Sequence, residues 1–286
     1  MTSPLTEAVT ADGVRVAIHD LGGKGPTLLL AHATGFHGRV FEPMARELAG
    51  DFHCIAFDER GHGDTVLESI EGFDWEDFAL DALAVVDALG PAATLLFGFG
   101  HSAGGAALLL AEQRRPGTFS ALYLWEPVML PGDPPPGPDP GNLLSAGARR
   151  RREEFDSHDD AYANFAAKPP FSDLDPDALR AYVDHGFTPI PGGGVRLACR
   201  RDFEALVYER GSAHSAFLHL DTVACPTVVA CGADTDAFGP AVVAAFAQAM
   251  PDARSEALPG LGHFGPLQDP AAVAKSAAAH FSTAGR

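Results

Sequence analysis

Residues 93–115 of this 286-residue chain constrain it more than any other stretch. An apolar run at 93–97 leads into a glycine-rich turn at 98–105, and then into an Ala/Leu-rich helical segment reaching about residue 115. Ser102 stands inside the turn, within Gly100-His101-Ser102-Ala103-Gly104. A serine between a buried strand and a helix occupies a crowded backbone position, and flanking glycines remove side chains that would clash there. Its hydroxyl then projects from the sheet edge, where the first free amides of the helix also point. The pattern predicts a nucleophile raised from the sheet edge. The plainer reading, a Gly-rich turn with an incidental Ser, is disfavoured by the strand before it and the helix after it.

The rest of the chain alternates strands and helices, as expected of an α/β fold with a mostly parallel sheet and helices on both faces. Residues 14–19 alternate and predict an early antiparallel strand. The runs at 27–31, 53–57 and 121–125 predict strands buried on both faces. Residues 40–49 and 75–89 have helical spacing, the second with Asp74 as a cap and Gly90-Pro91 as a stop. Composition changes at Pro127, because residues 131–140 hold six prolines and can be neither helix nor central strand. Short helices are predicted at 146–155, 159–167 and 175–185, with a break at Gly192-Gly193-Gly194. Sheet character returns at 227–231, followed by a helix at 240–250, a strand at 254–258 and a helix at 269–281. Residues 1–129 and 223–286 thus read as one core, and residues 130–222 as an inserted helical lid.

Acidic residues outnumber basic ones 38 to 20, a net charge of −18 that argues against nucleic acid and against an anionic membrane surface. No stretch is long and apolar enough for a membrane span. Residues 1–13 have no basic residue and no apolar run, so a secretory signal is not expected and the cytoplasm is the expected location. Cys54, Cys199, Cys225 and Cys231 show no metal-ligand spacing and read as buried thiols. No metal or organic cofactor is expected, since residues 98–105 lack the lysine of a phosphate-binding loop.

A serine hydroxyl is a weak nucleophile near neutral pH and needs a base. Of twelve histidines, His263 lies in a loop after the last strand, which an open parallel sheet places at the same carboxyl edge as Ser102. The backbone N–H groups of Thr34, in the loop after the 27–31 strand, and of Ala103, after the nucleophile, are expected to bind a developing oxyanion. His32 reads as bracing that loop.

Together these pieces resemble the α/β-hydrolase superfamily over nearly the whole chain: the loop at 32–36, Asp58-Glu59-Arg60-Gly61-His62-Gly63, the elbow at 98–105, and Gly262-His263. The resemblance implies an eight-stranded-type sheet, a helical cap over the pocket, and a structural rather than chemical His62. The expected acid departs from the commonest pattern, which has Asp three residues after the Gly that ends the penultimate strand. Thr235 holds that spacing here, flanked by Asp234 and Asp236. Glu126, ending the 121–125 strand before a proline, is the other candidate, because some branches of the superfamily place the acid there. Glu126 is preferred over Asp234 and Asp234 over Asp236, with the choice left open.

The expected reaction is hydrolysis of a carboxylic ester or lactone through an acyl-enzyme, on a small-molecule substrate with an apolar acyl group. Phenylalanines in the insertion would suit such a group, although they serve more commonly as an insertion's own core. The alternatives are carbon–carbon bond hydrolysis, thioester cleavage or other chemistry on the same fold, and a slow-turnover ligand receptor. Oligomeric state is not indicated.

Overall fold

Leu28 and Leu30 face one helical layer while Leu29 and Ala31 face the other, so this stretch is buried on both sides. The computed structural model, which describes residues 5–90, 95–132, 137–139, 141–211 and 213–284, builds that pattern into an eight-stranded sheet. The first elements are β1 (Glu7–Val9), β2 (Arg15–Gly23), β3 (Thr27–Ala31), α1 (Glu42–Leu48), β4 (His53–Phe57), α2 (Glu76–Leu89), β5 (Leu96–His101), α3 (Ala103–Arg114) and β6 (Ala121–Trp125). An insertion follows, with α4 (Leu143–Arg150), β7 (Glu154–Phe155), α5 (His158–Ala166), α6 (Pro176–His185), β8 (Phe187–Pro189), β9 (Val195–Leu197) and α7 (Arg201–Arg210). The chain then completes the sheet through β10 (Thr227–Gly232), α8 (Pro240–Gln248), β11 (Ala253–Leu258), α9 (Gly265–Gln268) and α10 (Pro270–Ala284).

Strand order is β1-β2-β4-β3-β5-β6-β10-β11. β2 pairs antiparallel with β1 and β4, and the remaining pairs are parallel. Chain direction across the sheet reverses between β3 and β5, and the crevice at such a reversal is where open α/β sheets bind ligands. Phe41 and, from α1, Met44 and Leu48 join Phe281 of α10 on one face; Ala82, Leu109 and Phe246 of α2, α3 and α8 lie on the other. Among the described residues no helix is long and apolar enough to cross a membrane. All four cysteines are buried and free.

Several elements differ from the sequence reading. The predicted 14–19 strand is longer, running through Gly23 with a register shift at Asp20/Gly22. The 40–49 helix begins as a 3-10 turn at Gly38–Phe41, and Pro43 marks the first turn of α1. Residues 93 and 94 of the expected 93–97 strand lie outside the described residues, as do 133–136 and 140 of the proline-rich segment. β5 continues through Gly98 and Gly100 to His101, so the expected turn at 98–105 shrinks to Ser102. The reason is packing: a Cβ on Gly100 would come within 2.6 Å of the Gly104 carbonyl and of Gly105 Cα. These glycines let helix and strand approach closely.

The insertion is not purely helical. β7, β9 and β8 form a three-stranded antiparallel sheet, and Gly192, Gly193 and Gly194, all at positive φ, turn the chain between β8 and β9. Strands of two or three residues leave too short a period-2 signal to read. The helix expected at 146–155 ends at Arg150, and its start is set by Asn142, whose side chain accepts from the Leu144 and Ser145 N–H groups. α7 was not anticipated; its Phe203 and Val207 pack on Phe78 and on Ala103, Ala106 and Ala107 of α3. Phe155, Phe165, Phe171 and Phe187 are buried against one another, which makes them the insertion's own core.

Candidate active site

Ser102 sits at φ 55°, ψ −112°, and Glu126 at φ 43°; among the described residues they alone are non-glycine residues with positive φ. Such backbone persists only where its surroundings over-determine it. The Ser102 N–H donates to the Trp125 carbonyl at 2.9 Å, and its own carbonyl accepts from Val128 N–H at 3.1 Å and Ala106 N–H at 3.2 Å. Gly104 N–H donates to the His32 carbonyl at 2.9 Å, drawing the loop after β3 against the first turn of α3. A Cβ at Gly104 would lie 2.3 Å from the Ala31 carbonyl, so only glycine permits that approach.

His263 completes the approach from the far end of the chain. Its Nδ1–H donates to Glu126 Oε2 at 2.8 Å, which leaves Nε2 bare to accept from the Ser102 hydroxyl at 3.1 Å. Glu126 is fully buried. Its carboxylate accepts three further hydrogen bonds, from Gly232 N–H at 3.0 Å, the Thr235 hydroxyl at 2.9 Å and Phe238 N–H at 3.3 Å. Four donors thus converge on the one carboxylate.

Asp234 and Asp236 are exposed, and among the described residues neither side chain bonds to His263. Of the three candidate acids, Glu126 is the one that His263 bonds to in this structure. The loop after β10 supplies donors where the commonest pattern would supply the acid: Thr235, at that spacing, offers its hydroxyl to Glu126. β6 adjoins β5, so a glutamate turned inward at its end reaches the imidazole from the neighbouring strand. Gly232 admits the histidine loop, since a Cβ there would strike the Leu261 carbonyl at 2.1 Å.

The Thr34 and Ala103 N–H groups lie in the two segments joined by the Gly104–His32 bond, and among the described residues neither donates to a protein acceptor. Both residues are buried. That placement suits an oxyanion held between the loop after β3 and the start of α3. His32 braces, as expected: its Nδ1–H donates to the Ala33 carbonyl and its Nε2 accepts the Glu59 N–H. Burial, and then the facing His62 ring, drive His32 down to about 3, so it stays neutral.

Two contacts escaped the sequence reading. His101 Nε2–H and Trp125 Nε1–H both donate to the His263 carbonyl at 2.9 Å, fixing the histidine by its backbone. Burial, then the neighbouring His263, hold the His101 imidazole well below the usual histidine range. Gly265 lies flat against the Trp125 indole, where a Cβ would approach to 2.2 Å. No local pattern announces these bonds, because their partners are more than 130 residues apart. His32, Glu59 and His62 bring potential metal ligands within 4.8 Å of one another, but His32 Nε2 is already committed to the Glu59 N–H.

This sheet, with a serine elbow and a histidine relay at its topological switch point, defines a class of protein. The model of the alpha/beta hydrolase family matches residues 28–276, and the chain belongs to that family and is a hydrolase. It is similar to 2-(acetamidomethylene)succinate hydrolase of Mesorhizobium japonicum, 25% identical over 243 residues, which span 85% of this chain and 83% of that one. Human monoglyceride lipase is 34% identical over 106 residues, covering 36% of this chain and 35% of the lipase. The crystal structure of E-2-(acetamidomethylene)succinate hydrolase superposes with a TM-score of 0.80 at 22% identity, covering 96% of this chain and 98% of the other.

Proposed function

We propose that the protein is a serine hydrolase that cleaves a carboxylic ester or lactone through an acyl-enzyme. Ser102 Oγ attacks the substrate carbonyl and passes its proton to His263 Nε2. Glu126 holds the imidazole in the tautomer that can accept that proton and stabilises the imidazolium that forms. The carbonyl oxygen, now negative, accepts from the Thr34 and Ala103 N–H groups. Collapse expels the alcohol, protonated by His263, and water activated by the same imidazole releases the acid.

The observation that carries this reading is the unbroken relay from Glu126 Oε2 through His263 to Ser102 Oγ, at 2.8 and 3.1 Å. Family relatives named as a hydrolase and as a lipase are consistent with it. The insertion is the natural wall of the pocket, because Phe36 of the loop after β3 packs against its Tyr182 and Phe171. The substrate would be a small molecule, and no cofactor enters the chemistry.

The test is a panel of short-chain ester, long-chain ester, lactone, thioester and carbon–carbon substrates on wild type and Ser102→Ala, with fluorophosphonate labelling beside it. Ester or lactone turnover that vanishes in Ser102→Ala, with labelling of Ser102, is the expected result. Failure of native protein to label, or turnover confined to diketones, would overturn the proposal.

A further inference from the structure

Above the loop after β3, the insertion leaves hydrogen-bonding groups buried and unanswered. Arg151, at the end of α4, pairs through Nη2 with Glu204 Oε1 of α7 at 2.8 Å, while its Nη1 is buried without a partner. Tyr182 of α6 is 1% exposed, and its hydroxyl is also buried without a partner. An unmet donor in a protein interior is costly, and two on separate parts of the insertion ask for an acceptor from outside it. Both flank consecutive residues of one loop, Arg151 Nη1 beside Gly35 and the Tyr182 ring beside Phe36.

Their position relative to the nucleophile follows from Gly35, the residue after Thr34. A Cβ built on Gly35 would lie 2.9 Å from Glu204 Oε1 and 3.6 Å from Arg151 Nη1. The guanidinium therefore lies beside the backbone next to the proposed oxyanion donor, and the absence of a side chain at Gly35 leaves room for the Arg151–Glu204 pair. Tyr182 reaches the same region through Phe36, whose ring lies 5.1 Å from Tyr182 and 5.6 Å from Phe264, the neighbour of His263.

We propose that Arg151 Nη1 and the Tyr182 hydroxyl form a seat for a carboxylate on the substrate, a short spacer away from the carbonyl attacked by Ser102. Guanidinium presents its N–H groups in a plane, so with one edge held by Glu204 the other is pre-oriented toward a planar acceptor. Glu204 contributes aim, and its charge tempers the arginine so that the empty seat is not a lone buried cation. On a chain of net charge −18, an acidic substrate needs such a local cation to enter at all. This specificity rests on the proposed serine chemistry and narrows its substrates to half-esters or lactones bearing a free acid.

The test compares mono-4-nitrophenyl succinate with its methyl ester, 4-nitrophenyl methyl succinate, which differs only in the free carboxylate. Wild type should prefer the acid, with the preference expressed in KM because the carboxylate contact is the same before and during attack. The ratio of kcat/KM values, acid over methyl ester, should fall about 50-fold in Arg151→Met and about fivefold in Tyr182→Phe. A purely structural role for Arg151 would lower both substrates alike and leave the ratio standing, which overturns the proposal. Should Arg151→Met not fold, Tyr182→Phe decides by the same ratio. Hydrolysis of the methyl ester without preference for the acid removes the carboxylate seat while leaving the serine mechanism intact. If neither ester is turned over, the serine reading fails first. Thermal stabilisation of Ser102→Ala by succinate, lost on adding Tyr182→Phe, then still judges the seat: stabilisation supports it and none overturns it.

Discussion

Glu126 and Glu59 lie one and two residues beyond the carboxyl ends of buried strands, yet the protein treats them oppositely. Both are fully buried. Glu126 accepts four hydrogen bonds, including the one from His263. Neither oxygen of Glu59 has a partner, and burial, then Asp81 and Asp58, push its carboxyl well above the usual range. One carboxyl is surrounded by donors and bonds to His263; the other has none, and burial favours its neutral form. The end of a strand therefore does not make a carboxyl functional, and the donors gathered around it do.

The sharpest way to break this contrast is Glu126→Gln, which turns an amide N–H toward donors and removes the acceptor that sets the His263 tautomer. It should lower kcat by about 10⁴ in a steady-state ester assay, whereas Glu59→Gln stays near wild type in the same assay. Thr235→Val removes one donor to Glu126, and kcat should drop about tenfold with KM held, since the loosened carboxylate orients the imidazole less firmly.

Stability separates the two acids as well. The raised carboxyl of Glu59 favours the folded state fully below about pH 4.5, and that contribution is lost as pH climbs through its folded value. Glu59→Gln should thus gain roughly 1 kcal/mol in urea unfolding at pH 8 and nothing at pH 4. The neutral histidines run the other way. His32 is lowered to about 3, and His37, His62 and His214 to about 4, each chiefly by burial. Their stabilisation is whole above about pH 6.5 and drains as pH falls toward 4, so urea midpoints should decline steeply over that window in wild type and Glu59→Gln alike. Smallest of all, Asp234→Asn should change kcat by no more than about twofold; a larger loss would return the loop after β10 to the acid's role.

Much of the site could be read locally. Ser102 announces itself because strand, glycines and helix are contiguous, and His263 because the last loop of a parallel sheet must open at the same edge. Glu126 was legible only as one of three acids, since choosing among them requires knowing where the loop at 232–238 turns. His101, Trp125 and Arg151 gave no signal, because what they touch comes from remote parts of the chain. Glycines at 98 and 100 misled for a related reason: they read as turn residues, but their lack of a side chain is used to seat α3 against β5.

Sequence alone determined the layered fold and singled out Ser102 and His263 as candidates, because buried strands, helical stripes and a strand-to-helix elbow are written in neighbouring residues. Only the tertiary structure decided which acid bonds to the histidine, which carboxyl is left without donors, and which arginine lies beside Gly35. Those outcomes depend on the partners and solvent access each side chain finds after folding, and a linear chain does not encode such distances one segment at a time.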